Sequence, residues 1–320
     1  MKLKTQNNKL ISKICLGTWA LGGSKKNNIS YGNLGFKKSQ EILDFAFRNK
    51  INFFDTANVY GDAELRLGKF IKDKREDTFI ATKVGCVSFH KKLNFSKKNI
   101  IKQIDHSLKN LNSDYIDLVQ LYGPSAEDKK IFHAYEILNK LKNEKKIKHI
   151  GISLRKPIDY LFFRKFMKVD FVQCNFNMLD HRLLNNNLLN LINKDRTNIY
   201  TRTVLNFGIF TEKFLSSKSS FSKKDHRSKW NSEQIINWKE SAVDIKKSLN
   251  NKIENLAYRY CKSFNISGLV IGATNTDHVK IAINSTIKRK LTNKEIFTIE
   301  KIYKVFEKKL LIKPNYKMKS

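Results

Sequence analysis

Three residues in the first third of the chain have the types and spacing to handle a proton: Asp55, Tyr60 and Lys83. Asp55 closes the apolar, aromatic run Ile51-Asn52-Phe53-Phe54, and Tyr60-Gly61 follows in a short polar loop. Lys83 closes a second run, Phe79-Ile80-Ala81-Thr82. Short apolar runs of this kind read as buried parallel strands. An acid ending one buried strand, a phenol a few residues on and an ammonium ending the next strand fit catalysis better than packing. If the two strands are neighbours, the three side chains converge at their carboxyl ends.

The elements that must position this cluster alternate regularly. Strands are expected at Ile14–Gly17, Ile51–Asp55, Phe79–Lys83, Asp117–Tyr122, Ile147–Ser153, Phe171–Asn175, Ile199–Thr203 and Gly268–Gly272. Helical spacing fills the intervals, as in Lys38–Asn49, where Ile42, Leu43, Ala46 and Phe47 share a face. Helices are also expected at Ala63–Lys72, after an N-cap at Ser96, at Ile131–Leu141, after Pro157, at Leu183–Ile192 and at Ile253–Phe264. Eight strand–helix pairs predict an α/β fold, a single (β/α)8 TIM barrel domain over residues 1–320. The rival doubly wound sheet wants G-x-G-x-x-G after its first strand, and Gly17-Thr18-Trp19-Ala20-Leu21-Gly22-Gly23 does not fit it. Barrel active sites lie at the carboxyl strand ends. Here those are Asp55, Lys83, Tyr122, Ser153, Gln173 or Asn175, Arg202 and Gly272, a polar set above apolar strand interiors. A long loop, Asn206–Lys239, with Trp230 and Trp238, and an extra C-terminal helix, Thr292–Lys309, fall outside the repeat.

Composition sets the remaining bounds. The formal charge of +33 over 320 residues invites a nucleic-acid or anionic-membrane partner. The lysines, however, are spread along the chain among Asn, Ile and Phe, so a solvated basic surface is expected, with no specific nucleic acid and no membrane partner. Four scattered cysteines form no C-x-x-C pair and suit a reducing compartment. No secretion signal and no apolar stretch of about 18 residues is present, so a cytoplasmic location is expected. No His or Cys spacing resembles a metal site; His106, His133 and His181 are read as helix or loop surface residues.

Ordered stretches along nearly the whole chain resemble one family. They are Leu16-Gly17-Thr18-Trp19 with Leu21-Gly22-Gly23; Asp55-Thr56-Ala57 with Tyr60-Gly61, Ala63-Glu64 and Leu67-Gly68; and Thr82-Lys83-Val84-Gly85. Next come Ser107-Leu108 with Leu111, Asp114-Tyr115-Ile116-Asp117-Leu118 with Gln120, Gly151-Ile152-Ser153, Gln173 with Asn177, and Arg202 before Gly208. Each is weak alone, but the order and spacing together are specific: the chain resembles the aldo-keto reductases. The resemblance implies metal-free hydride exchange between a nicotinamide and an aldehyde, ketone or sugar-like alcohol. Tyr60 would be the general acid, its ordinary pKa of about 10 lowered by Lys83, with Asp55 holding Lys83. General acid catalysis of this kind contributes about 10²–10⁴-fold.

The resemblance also implies cofactor contacts from Gly17, Thr18 and Trp19, from Ser153 with Gln173 or Asn175 to the carboxamide, and from Phe176 or Arg202 near the ring. Gly272-Ala273-Thr274-Asn275 matches a phosphate-binding turn before a short helix, with His278 or Lys280 near a 2′-phosphate. NADP is therefore expected, and NAD is possible. Leu154 stands where an asparagine is usual, and Ile281 and Ala282 where adenine contacts are usual. One departure bears on chemistry: Leu121-Tyr122-Gly123-Pro124 carries Tyr122 where the family places a histidine. Its hydroxyl can donate a hydrogen bond in the imidazole's stead, or Tyr122 merely walls the pocket of an altered or slow enzyme. The alternative function is a cofactor-binding regulatory protein of this fold with little turnover.

Overall fold

The structure, a computed structural model, describes residues 2–5, 9–23, 31, 34–89, 91–128, 130–217, 221 and 225–310. Two short strands open the chain, β1 (Lys2–Lys4) and β2 (Leu10–Ser12), paired antiparallel. Eight further strands close a parallel barrel: β3 (Ile14–Gly17), β4 (Phe53–Asp55), β5 (Phe79–Val84), β6 (Ile116–Tyr122), β7 (Ile147–Ser153), β8 (Phe171–Asn175), β9 (Asn198–Arg202) and β10 (Gly268–Gly272), with β10 beside β3. Helices follow the strands and bury one face each; the helix Lys97–Leu111 seats Ile100, Ile104 and Leu111 on the sheet.

Side chains alternate along each strand, so every second residue enters the barrel. Its lower interior is filled by Ile11, Cys15, Phe53, Phe79, Ala81, Leu118, Phe171 and Tyr200, all buried. Phe53 meets Phe79 and Tyr200 edge-on, each at 4.8 Å between centroids, pairs worth about 0.5–1.5 kcal/mol beyond burial. The β1–β2 hairpin closes the bottom: Ile11 is the lowest plug, and Tyr200 donates its hydroxyl proton to Ser12 O at 2.9 Å. Continuing the alternation upward, Asp55, Lys83, Gln120, Tyr122, Ser153, Gln173, Asn175 and Arg202 occupy the top. The site is thus the upper layer of the same period-two pattern that builds the core.

The sequence places all eight barrel strands, with differences elsewhere. Helix Ser232–Leu249 claims the end of the expected Asn206–Lys239 loop. Asn231 accepts from Glu233 N as its N-cap, and Trp238 is buried helix rather than loop; residues 218–220 and 222–224 of that loop lie outside the described residues. The expected Leu183–Ile192 helix starts only at Leu188, because Asn186 and Asn187 take left-handed φ of 52° and 55°, which asparagine tolerates. Ser96 sits at an N-cap without its hydroxyl bonding the helix. The extra C-terminal helix spans Asn293–Leu310.

Candidate active site

Asp55 and Lys83 end adjacent strands and meet inside the barrel mouth, 3% and 1% exposed. Lys83 Nζ donates to Asp55 Oδ2 at 2.6 Å and to Thr56 O at 2.8 Å. Asp55 Oδ1 accepts from Gln120 Nε2 at 3.1 Å and Gln173 Nε2 at 2.9 Å. A buried ion pair is tolerable only when its remaining hydrogen-bonding capacity is met, and here the neighbours meet it. Thr18 holds the Asp55 backbone, donating from its N (2.8 Å) and Oγ1 (3.1 Å) to Asp55 O.

Tyr60 comes from the loop after β4. Its placement depends on Gly22, where a Cβ would collide with Tyr60 O, so only glycine lets the turn Trp19–Gly22 rest on this loop. Lys83 Nζ lies over the Tyr60 ring, 4.9 Å from its centroid, and 5.7 Å from that of Tyr122. The two tyrosine rings meet edge-on at 6.4 Å and 86°. Tyr60, Lys83, Asp55 and Tyr122 are thus brought together.

The electrostatics differ from the expectation that Lys83 lowers the Tyr60 pKa. Burial raises the Tyr60 phenol above its ordinary value, and the Asp55 charge adds to this; the Tyr122 hydrogen bond and Arg202 pull the other way. Lys83 donates to Asp55 and Thr56, and its Nζ lies over the Tyr60 ring face. Tyr122 is raised as well, by burial first and by the neighbouring Tyr60, with the Lys83 charge pulling the other way.

Around this centre the cofactor candidates divide. Gly17 is in register with Asp55 on one side and Gly272 on the other. Gln173 is committed to Asp55, and its Oε1 accepts from Ser153 Oγ at 3.3 Å. Asn175 Oδ1, by contrast, is buried with no partner, beside Arg202 in register. Arg202 donates to Leu154 O at 3.0 Å. Across the mouth, Gly272, Ala273 and Thr274 lead to Asn275, which caps the helix Thr276–Ile287 by accepting from His278 N at 3.0 Å. His278 Nδ1 lies 3.4 Å from Thr274 N, with Lys213, Lys38 and Asp277 as charged neighbours. A buried acceptor without a partner at one end, and a basic-flanked helix N-terminus at the other, fit an elongated ligand with an amide and phosphates.

Three rim residues that carried no role in the sequence reading, Tyr31, Phe89 and His226, gather around Trp19. Trp19 is flanked by Tyr31 (5.2 Å), His226 (4.9 Å), Tyr60 (6.3 Å) and Phe89 (6.4 Å). His226 also meets Trp230, which brings the loop after β9 against Trp19. These contacts join distant segments and leave no local signal. Gln120 was more legible, lying two residues before Tyr122 on the same strand face. His181, read as a surface residue, is buried: its Nε2 lies 2.9 Å from the Tyr260 hydroxyl and 3.0 Å from Met178 O, and Tyr303 stacks on its ring at 3.8 Å.

A closed eight-stranded α/β barrel carries an ion pair and two phenols at its carboxyl mouth, the end where barrel enzymes hold their active sites. The aldo/keto reductase family model matches residues 13–304, and the chain belongs to that family of oxidoreductases. It is 28% identical over 296 residues to the uncharacterized oxidoreductase YqkF of Bacillus subtilis, covering 91% of this chain and 92% of that one. It is 30% identical over 221 residues to the NADH-specific methylglyoxal reductase of Escherichia coli, covering 63% and 66%. The solved aldo-keto reductase AKR11C1 of Bacillus halodurans, in its holo form, shares the fold with a TM-score of 0.76 at 23% identity, covering 94% and 95%.

Proposed function

We propose that this protein reduces a small aldehyde or ketone, or oxidises a sugar-like alcohol in reverse, with Tyr60 as the general acid or base. The observation that carries this reading is the packing of the Tyr60 and Tyr122 rings against the buried Lys83–Asp55 ion pair. A nicotinamide dinucleotide, when bound, supplies the hydride; NADP is favoured and NAD is the alternative. Asn175 Oδ1 would accept from the carboxamide, Ser153 would border it, and Gly17, Trp19 and Arg202 would flank the ring. The amides of Gly272–Thr274 and the helix start, with His278, Lys38 and Lys213, would hold the phosphates.

The chain's own residues do the proton work. Tyr60 gives its proton to the oxygen that gains charge, a role that burial keeps it protonated for at neutral pH. Tyr122 donates to the Tyr60 oxygen and stabilises it as the proton leaves. Lys83 adds positive potential beneath both rings, and Asp55, fixed by Gln120 and Gln173, keeps Lys83 in place. A cytoplasmic location and a single domain over residues 1–320 belong to the same reading. The test is nicotinamide absorbance with purified protein, NADPH or NADH, and a panel of small aldehydes. Turnover favouring NADPH supports the proposal; tight cofactor binding with no turnover on any carbonyl supports the regulatory alternative instead.

A further inference from the structure

One guanidinium at the mouth has no assigned work. Arg155 follows Ser153-Leu154 at the carboxyl end of β7, and its side chain lies across Gly123, directly after Tyr122. A Cβ on Gly123 would meet Arg155 Nε at 2.6 Å, and Gly123 has a φ of +61°, so glycine here both makes the turn and leaves the groove that carries the arginine stem. The stem thus lies one residue from Tyr122, and the Arg155 charge acts on Cys86, which packs with Tyr60, Tyr122 and Phe89. Its backbone O accepts from Arg182, but among the described residues no carboxylate or carbonyl accepts from the Arg155 guanidinium. The neighbouring mouth arginines and Lys83 differ. Lys83 is paired with Asp55, Arg227 with Asp225 and Arg182 with Asp180, while Arg202 is held by the Leu154 carbonyl.

Arg155 is itself exposed at the mouth, but its stem is laid over Gly123 beside the proton donors. A planar fork held there uncommitted is a recognition element for a planar or tetrahedral oxyanion. We propose that Arg155 binds an anionic group, a carboxylate or a phosphate, carried by the substrate a few atoms from the carbonyl that faces Tyr60. The substrate class is then acidic aldehydes or ketones, and the basic surface speeds their approach. This rests on the oxidoreductase reading above and narrows its substrate.

The test compares matched substrates on cofactor-loaded wild type, Arg155→Gln and Arg155→Lys: succinic semialdehyde against butanal for the carboxylate, and glyceraldehyde 3-phosphate against glyceraldehyde for the phosphate. Wild type is expected to favour one anionic member over its neutral partner. Arg155→Gln is expected to lower that ratio of kcat/KM about ten- to hundredfold, chiefly through KM, as loss of a hydrogen bond to a charged group does, with Arg155→Lys recovering part. The pair that shows the effect identifies the anion. A wild type with no anionic preference, or an unchanged ratio in Arg155→Gln, overturns the proposal. If no aldehyde is turned over, the enzymatic reading fails separately. Titration calorimetry with succinate and glycerol 3-phosphate then decides the subsite, and equal binding to wild type and Arg155→Gln refutes it.

Discussion

Replacing Tyr122 with phenylalanine isolates the feature that sets this site apart, because it removes one hydroxyl and keeps the ring that packs edge-on against Tyr60. Burial and the Asp55 charge hold the Tyr60 phenol high, and the Tyr122 hydroxyl is among the influences that oppose them. A hydrogen bond to a charged group is worth about 1.5–3 kcal/mol, and the Tyr60 oxygen is only partly charged in the transition state, so kcat for reduction should fall roughly tenfold. The pH dependence adds a sign. Reduction uses protonated Tyr60, which a raised pKa preserves, so its rate should stay flat through neutral pH. Oxidation uses the phenolate, so its rate should climb with pH across the whole accessible range. Tyr122→Phe removes a donor to that phenolate and should move the climbing limb upward by about one pH unit, the equivalent of about 1.4 kcal/mol. Steady-state rates in both directions at saturating cofactor, from about pH 6 to about pH 10, give both readouts around the ordinary tyrosine value. An unchanged kcat and an unmoved limb would refute the reasoning. A lower kcat with an unmoved limb would assign Tyr122 to the substrate rather than to Tyr60.

Other perturbations have equally definite outcomes. Asp55→Asn leaves the buried Lys83 ammonium without its counter-charge and should cost about 3–5 kcal/mol in urea unfolding, whereas Asp55→Asn with Lys83→Met should cost less than the sum of the single changes. Burial depresses the His181 pKa from 6.5 to about 4, so the folded state favours the neutral ring. Stability should therefore be full above about pH 6.5 and fall by about 3 kcal/mol as pH drops towards 4, a loss that His181→Asn should abolish.

Much of this was legible in the sequence because one regular pattern builds both core and site. Short apolar runs located the barrel strands, and the polar residue ending each run marked the mouth: Asp55, Lys83, Tyr122, Ser153, Arg202. What escaped had non-local causes. The β1–β2 hairpin is too short to signal itself, and gains its meaning only by plugging the barrel beneath Tyr200. His181 looks like any loop histidine until Tyr260 and Tyr303, far along the chain, close over it. For Lys83 and Tyr60, sequence gives proximity without direction. The ammonium points its protons at Asp55 and Thr56, and leaves burial to govern the phenol. Arg155 carried no signal at all, since its meaning depends on the groove that Gly123 opens.

The most direct test of the central claim separates binding from proton transfer in Tyr60→Phe. Cofactor affinity is measured by quenching of tryptophan fluorescence, and single-turnover reduction of a reactive aldehyde by nicotinamide absorbance. If Tyr60 is the proton donor, affinity stays within about twofold while the chemical step slows about 10²–10⁴-fold, the usual worth of a general acid. A single-turnover rate equal to wild type, at equal affinity, would contradict it.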